Sequence, residues 1–280
     1  MTSLRPTDEH TLNDGTTLPL IGLGTYGLTG ADGVTAMRHA LDTGYRMLDT
    51  AVNYDNEAEV GRAVAGSGLD RDAMQIVTKV PGRHHRSAEQ CVEDSLRRLG
   101  TDHVDLVLIH WPNPTQNEYE YAWDGLVAAR ERGLTRSIGV SNFHPHHLDR
   151  IIRSVGVTPS VNQVELHPSF AQDTMREAHA ERGILTEAWS PLGKREARYD
   201  APEVAGPAER HQVTPAQVIL RWHLQRGVLP IPKSATPERQ RANIDLFGFQ
   251  LTDDEVAAIS ALSRPDGRLF GGDPDHHEED

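Results

Sequence analysis

Cysteine is almost absent: Cys91 is the single one among 280 residues, so no internal disulfide can form. It falls on the apolar side of a segment with helical period and reads as a buried thiol. With no cysteine framework and no N-terminal signal peptide, the expected setting is a reducing cytoplasm. No apolar stretch reaches the roughly 18 residues of a membrane span. Basic residues are outnumbered, 28 Lys and Arg against 41 Asp and Glu, for a formal net charge of −13. That argues against a nucleic-acid or anionic-membrane surface, and means that an anionic ligand needs a local basic cluster. No Pro/Gly/Ser linker divides the chain near its middle, and residues 1–280 read as one domain of a size that suits a large α/β architecture.

What is present is alternation. Eight short β-rich runs, at 21–25, 46–50, 75–79, 105–110, 136–140, 161–165, 184–189 and 228–231, are separated by segments of helical period. Ahead of them, Asn13-Asp14-Gly15 between two apolar stubs predicts a hairpin over 11–22, with 1–10 polar and loose. Ser87 with Gln90 reads as a capping box, and Val92, Leu96 and Leu99 as one buried face ending at Gly100. Pro145 opens a helix with Leu148, Ile151, Ile152 and Val155 on one stripe. Thr214-Pro215 with Gln217 opens another that ends at Gly227, and Thr236-Pro237 opens a third. Thr252 and Glu255 cap a last helix over 252–263. The charged, Ala- and Pro-rich stretch 194–213 reads as a long loop over the top face. The tail 267–280 is expected to lack regular structure. Eight β–α units can close into a (β/α)8 barrel or form a doubly wound open sheet.

Gly22-Leu23-Gly24-Thr25-Tyr26-Gly27 matches a dinucleotide-binding GxGxxG, with Asp49 at a suitable distance. The fingerprint needs a strand before the glycines and a helix opening on them. Here Pro19 interrupts the preceding stretch, the helix start is better placed at Asp32, and two glycines lie inside the strand run. They read instead as small residues at a crowded strand end.

Asp49 and Tyr54, Lys79 and His110 stand where three consecutive runs stop, which gathers an acid, a phenol, an amine and an imidazole at one end of a parallel sheet. A lysine beside a phenol favours phenolate and lowers its pKa, and an aspartate beside the lysine keeps the ammonium charged. An imidazole can hydrogen-bond a carbonyl oxygen. Together they suit proton delivery to an oxygen as hydride reaches carbon. Each alone has a plain reading: a turn cap, a half-buried aromatic, a surface lysine, a core histidine. Other chemistries remain open: a Schiff-base lyase using Lys79, or a metal hydrolase using Asp49, His110, Glu165 and His167. The pairs His84-His85, His146-His147 and His276-His277 read as solvent-facing rather than metal-binding. Lys233, Ser234 and Arg239 around the Thr236-Pro237 helix start form the local basic cluster that a phosphate would need.

Seven segments carry a resemblance: LDTAVNYDNEAEVGRAV (48–64), VTKV (77–80), SLRRLGTDHVDLVLIHWP (95–112), GVSNF (139–143), NQVELHP (162–168), WSPLG (189–193) and IPKSATPER (231–239). In this order the chain resembles the aldo-keto reductase superfamily over nearly its whole length. The WSPLG form and the tail look most like the prokaryotic branch containing 2,5-diketo-gluconate reductases. The resemblance implies a (β/α)8 barrel and NADPH-dependent reduction of small aldehydes and ketones. It implies Tyr54 as general acid, tuned by Lys79 and Asp49, with His110 orienting the carbonyl. It implies Lys233, Ser234 and Arg239 on the 2′-phosphate of NADPH and Asn243 on the adenine, where Ala242 replaces a common carboxylate. Ser141, Asn142 and Gln163 are implied to grip the nicotinamide carboxamide, and Trp189 to stack on its ring. Ser190, Leu192 and Gly193 are implied along the same cofactor. Tyr26, Trp111 and the tail around Arg268 and Phe270 are expected to wall the substrate pocket. The family's habit implies a monomer. A barrel that binds NADPH as a sensor without turnover is the reading from a different class.

Overall fold

The computed structural model of the protein describes residues 4–279. A short hairpin comes first, β1 (Glu9–Thr11) paired antiparallel with β2 (Thr17–Pro19). Eight parallel strands then follow in chain order: β3 (Leu23–Gly24), β4 (Met47–Asp49), β5 (Gln75–Val80), β6 (Val104–Ile109), β7 (Thr135–Ser141), β8 (Val161–Glu165), β9 (Leu185–Trp189) and β10 (Leu229–Pro230). Each pairs with its neighbour in sequence. The two ends also meet: Gly22 N–H donates to the Pro230 carbonyl (3.1 Å) and Gly24 N–H to the Pro232 carbonyl (3.3 Å). Alternate residues donating to alternate carbonyls is a parallel ladder, so the sheet closes into a barrel and the open-sheet alternative is excluded.

The glycines of the GxGxxG segment serve this closure. A Cβ on Gly24 would stand 2.9 Å from the Ile231 carbonyl oxygen, and one on Gly22 would stand 3.1 Å from Ile231 Cγ2. Leu12 and Leu18 of the hairpin are buried with Met47, Val77, Leu106, Leu108 and Leu229, sealing the N-terminal mouth of the barrel. The hairpin's first strand begins two residues early, inside the stretch expected to be loose. The turn around Gly15 (φ 87°), with Leu12 N–H on the Thr16 carbonyl, places His10 opposite Leu18.

Helices α1 (Gly30–Thr43), α2 (Glu57–Ala65), α3 (Ala88–Leu99), α4 (Tyr119–Glu131), α5 (Pro145–Val155) and α6 (Asp173–Glu181) connect successive strands. Two helices, α7 (Pro202–His211) and α8 (Pro215–Gln225), lie between β9 and β10; α9 (Pro237–Ile244) and α10 (Asp253–Ser260) follow. The two-armed capping boxes at Thr214/Gln217 and Thr252/Glu255 form as expected. Ser87 makes no cap bond, because a 3-10 turn over Gly82–Ser87 leads straight into α3 and Gln90 turns to Glu93 and Asp94. The helical start after the glycines comes at Gly30, two residues earlier than Asp32.

The segment 194–213 is not simply a loop. Pro202 suits a first helical turn, and Val204 and Ala208 bury against Val218 and Trp222, so α7 forms. Cys91, Val92, Leu96 and Leu99 are buried as expected, and so are Leu148 and Ile151, but Val155 is exposed. His85 and His147 are buried rather than solvent-facing; His147 packs edge-on to Tyr119 and Phe143. The tail after α10 has no helix or strand, yet it crosses the C-terminal face of the barrel, where Leu269 N–H donates to Glu165 Oε1 (2.6 Å).

Candidate active site

The barrel's C-terminal face opens into a cavity of about 1220 Å³. At its floor the sequence-distant tetrad converges. Lys79 is fully buried, and its Nζ donates to Asp49 Oδ1 (2.6 Å), the Thr50 carbonyl (2.8 Å) and, at 3.5 Å, the Tyr54 hydroxyl. Gln163 Nε2 donates to the other Asp49 oxygen (2.9 Å). The Tyr54 and His110 rings meet edge-on at 5.7 Å, and Tyr26 meets Tyr54 edge-on at 5.1 Å. These positions follow from register: Asp49 ends β4 and Lys79 sits on β5, while Tyr54 follows on a single 3-10 turn over Val52–Tyr54.

Burial by itself pulls the Lys79 ammonium down, but Asp49's charge and hydrogen bond outweigh it and hold the lysine above its ordinary range. For Tyr54 the balance differs from the sequence expectation. Burial raises the phenol; Lys79 lowers it; Asp49 raises it again, and the net direction is upward. Burial therefore favours the protonated phenol, and the carboxylate that anchors the lysine partly offsets the lysine's opposing field.

Below the tetrad lies Glu187, whose only sequence signal is an acid within the apolar run 184–189. It is fully buried, and burial followed by the Asp49 charge raises its carboxyl well above the usual carboxylate range, against the pull of Lys79.

The expected cofactor residues lie along the same cavity. Ser141, Asn142 and Gln163 are buried at one side, bonded mainly to one another and to the backbone: Ser141 Oγ donates to the Gln163 carbonyl (2.9 Å), and Asn142 Nδ2 to the His110 carbonyl (3.1 Å). Trp189 Nε1 donates to Asn142 Oδ1 (2.8 Å), which fixes the indole plane over the cavity. Ser190 and Leu192 also line it, while Gly193 (φ 79°) shapes the turn behind them without lining it. At the far end stand Lys233, Ser234, Arg239, Ala242 and Asn243, with α9 opening beside them. Tyr199 and Lys194, from the segment after β9, also face this cleft, and the Lys194 ammonium lies 5.9 Å from the Tyr26 ring centre. Neither was picked out by sequence.

Tyr26, Trp111 and Phe270 wall the other end, with Phe270 between Trp111 (6.3 Å) and Trp189 (5.9 Å). Arg268 does not: its guanidinium stacks on Phe170 and donates to the Gly272 carbonyl, outside the cavity. The tail brings in a residue with no sequence signal. Glu279 Oε1 accepts from Asn53 Nδ2 (2.8 Å) and lies 2.6 Å from His110 Nδ1, an ion-pair distance without linear hydrogen-bond geometry. Asn113 holds the Glu279 backbone from both sides.

Two alternative chemistries fail on this geometry. Lys79 is tied to a carboxylate and held charged, so it has no free amine for a Schiff base. Glu165 and His167 pair with each other (3.0 Å) and do not join Asp49 and His110 in any metal-binding group among the described residues. No helix of the described residues is long and apolar enough to cross a membrane.

The Aldo/keto reductase family profile matches residues 20–264. The chain is 56% identical over 270 residues to 2,5-diketo-D-gluconic acid reductase B of Corynebacterium sp. (strain SHS752001), covering 96% of this chain and 97% of that one. It is 40% identical over 265 residues to methylglyoxal reductase DkgA of Escherichia coli (strain K12), covering 94% and 96%. Among solved structures, a mutant of Gox0644 in complex with NADPH superposes with a TM-score of 0.91 at 41% identity, covering 97% of this chain and 98% of that one. Strand order, the residues at the strand ends and these likenesses agree: the chain belongs to the aldo/keto reductase family.

Proposed function

We propose that the protein, acting as one barrel domain, reduces aldehydes and ketones to alcohols with NADPH. The observation that carries this is the Tyr54 hydroxyl at the floor of a cavity whose far end is basic, with Lys79, Asp49 and His110 around it. NADPH, when bound, supplies the hydride. Lys233 and Arg239 offer the charge for its 2′-phosphate, and Trp189 a flat surface for its nicotinamide. Tyr54 donates its proton to the substrate oxygen, and His110 orients that oxygen. The Lys79 ammonium then stabilises the phenolate that remains, and Asp49 keeps Lys79 charged and aimed. General-acid help of this kind contributes roughly 10² to 10⁴ in rate.

The substrate class that fits is a small dicarbonyl or keto-sugar acid. The Corynebacterium and Escherichia relatives bear the names of reductases of such compounds. A carboxylate oxygen, that of Glu279, already stands between His110 Nδ1 and Asn53 Nδ2, so the position accepts an anionic oxygen.

The test follows the loss of reduced-nicotinamide absorbance with purified protein, NADPH and a panel of aromatic aldehydes, dicarbonyls and keto-sugar acids. Wild type is expected to turn over. Tyr54→Phe is expected to bind NADPH normally and to lose turnover by the factor above. Tight NADPH binding without turnover on any carbonyl would instead support the sensor reading, and normal turnover in Tyr54→Phe would sink the mechanism.

A further inference from the structure

Outside the cavity, four metal-ligating side chains converge where α5 begins. His144 precedes that helix, His146 and His147 belong to its first turn, and Asp275 comes from the tail. Asp275 Oδ1 lies 2.9 Å from His144 Nδ1, 3.3 Å from His146 Nε2 and 3.6 Å from His147 Nε2. One ligand atom from each of the four lies within 4.8 Å of all the others. Donors bonded to one ion at about 2.0–2.1 Å and tetrahedral angles stand about 3.3 Å apart. The three Asp275 distances bracket that edge, and the histidine nitrogens, within 4.8 Å of one another, need only draw together around an ion.

The plain account is that Asp275 neutralises the positive end of α5, which favours an anion by about 0.3–1 kcal/mol. A helix-start role explains the capping box of His144 and His147, but not the convergence of three imidazoles on one carboxylate oxygen. Among the described residues the carboxylate's recorded partners are imidazole nitrogens, and the His144 N–H at the helix start donates to His147 Nδ1 (3.2 Å). That bond leaves the His147 proton on Nε2, so His147 ligates there only if the proton moves to Nδ1 and the bond is given up, and it is the weakest of the four. His146 is 63% exposed, which opens the cluster to solvent.

We propose that His144, His146 and Asp275, with His147 closing the set, bind one borderline divalent cation of the zinc, cobalt or nickel kind. Imidazoles with a single carboxylate and no thiolate suit those ions. The cation would clamp the tail to α5 four residues ahead of Glu279, and so hold the segment that reaches His110. That consequence rests on the active-site reading; the binding site does not.

The test uses untagged full-length protein, stripped with chelator and dialysed. Cobalt(II) is titrated while its visible bands are followed, and zinc(II) is titrated by calorimetry. One equivalent of each is expected, with cobalt bands of tetrahedral intensity. His144→Ala, His146→Ala and Asp275→Asn are each expected to weaken binding by about tenfold or more, the least that ligand supports are worth. His84→Ala and His276→Ala should change nothing. No saturable binding overturns the proposal. So does binding that survives His146→Ala and Asp275→Asn, which would mean scattered surface histidines, and so does loss in the histidine variants with Asp275→Asn unaffected. None of these outcomes depends on whether the protein reduces a carbonyl.

Discussion

Lys79 Nζ stands 2.6 Å from Asp49 Oδ1 and 3.5 Å from the Tyr54 hydroxyl, so the ammonium is bound first to the carboxylate and only loosely to the phenol. The pair is fully desolvated. Removing one partner strands the other. Lys79→Met is expected to lower unfolding free energy by about 3–5 kcal/mol, read by urea denaturation. Adding Asp49→Asn should recover a large part of that loss while leaving turnover absent. Losses that simply add in the double variant would contradict the coupling.

The basic end of the cavity makes a second prediction. Arg239 is exposed at the opening of α9, free to face a phosphate. Arg239→Ala is expected to weaken NADPH by about 1.5–3 kcal/mol, roughly ten- to a hundredfold in Kd, with little change for NADH. Quenching of tryptophan fluorescence on titration measures both. Equal losses for the two cofactors would remove Arg239 from the 2′-phosphate.

Glu279 competes for the position next to His110. Glu279→Ala is therefore expected to lower KM for neutral carbonyl substrates several-fold, with kcat nearly unchanged. Steady-state kinetics decide it; an unchanged KM would show that the tail leaves the mouth at no cost before substrate arrives.

Acid should destabilise the fold through His179. Its Nε2 accepts from Asn162 Nδ2 (2.8 Å), and that amide is oriented by donating also to the Phe143 carbonyl (2.8 Å). Burial lowers the His179 pKa to about 3. An imidazole kept neutral in the fold contributes stability that is complete above about pH 6.5 and declines as pH falls toward the folded value, by up to about 1.4 kcal/mol per pH unit. Burial also lowers the pKa of His10, His85, His147 and His223. Denaturation between those limits should therefore show the summed slope, and His179→Gln should reduce it by one group's share. An unaltered slope would assign acid sensitivity elsewhere.

Barrel closure can be tested at one methyl group. Gly24→Ala places a Cβ 2.9 Å from the Ile231 carbonyl oxygen. Overpacking of this kind costs about 1–3 kcal/mol, read by urea denaturation, and an unchanged midpoint would mean that β3 and β10 move apart freely.

By itself the sequence determined the eight strands, most of the helices that separate them, and the strand-end placement of the tetrad residues, because strand ends and most caps are written in local residue order. Asp49, Lys79 and His110 were legible at the ends of apolar runs, and Lys233 to Arg239 as a basic cluster beside a helix start. Tertiary structure decided what depends on long-range approach. Closure of the barrel through Gly22 and Gly24 requires β3 to meet β10 across the whole chain. Helix α7 exists because Val204 and Ala208 find an apolar surface on α8. Glu279 reaches His110, and Asp275 reaches three histidines, only because an irregular tail folds back over the barrel face. The direction of the Tyr54 shift also lay beyond the sequence, since it is a balance of burial against two opposite charges whose distances only the folded chain sets.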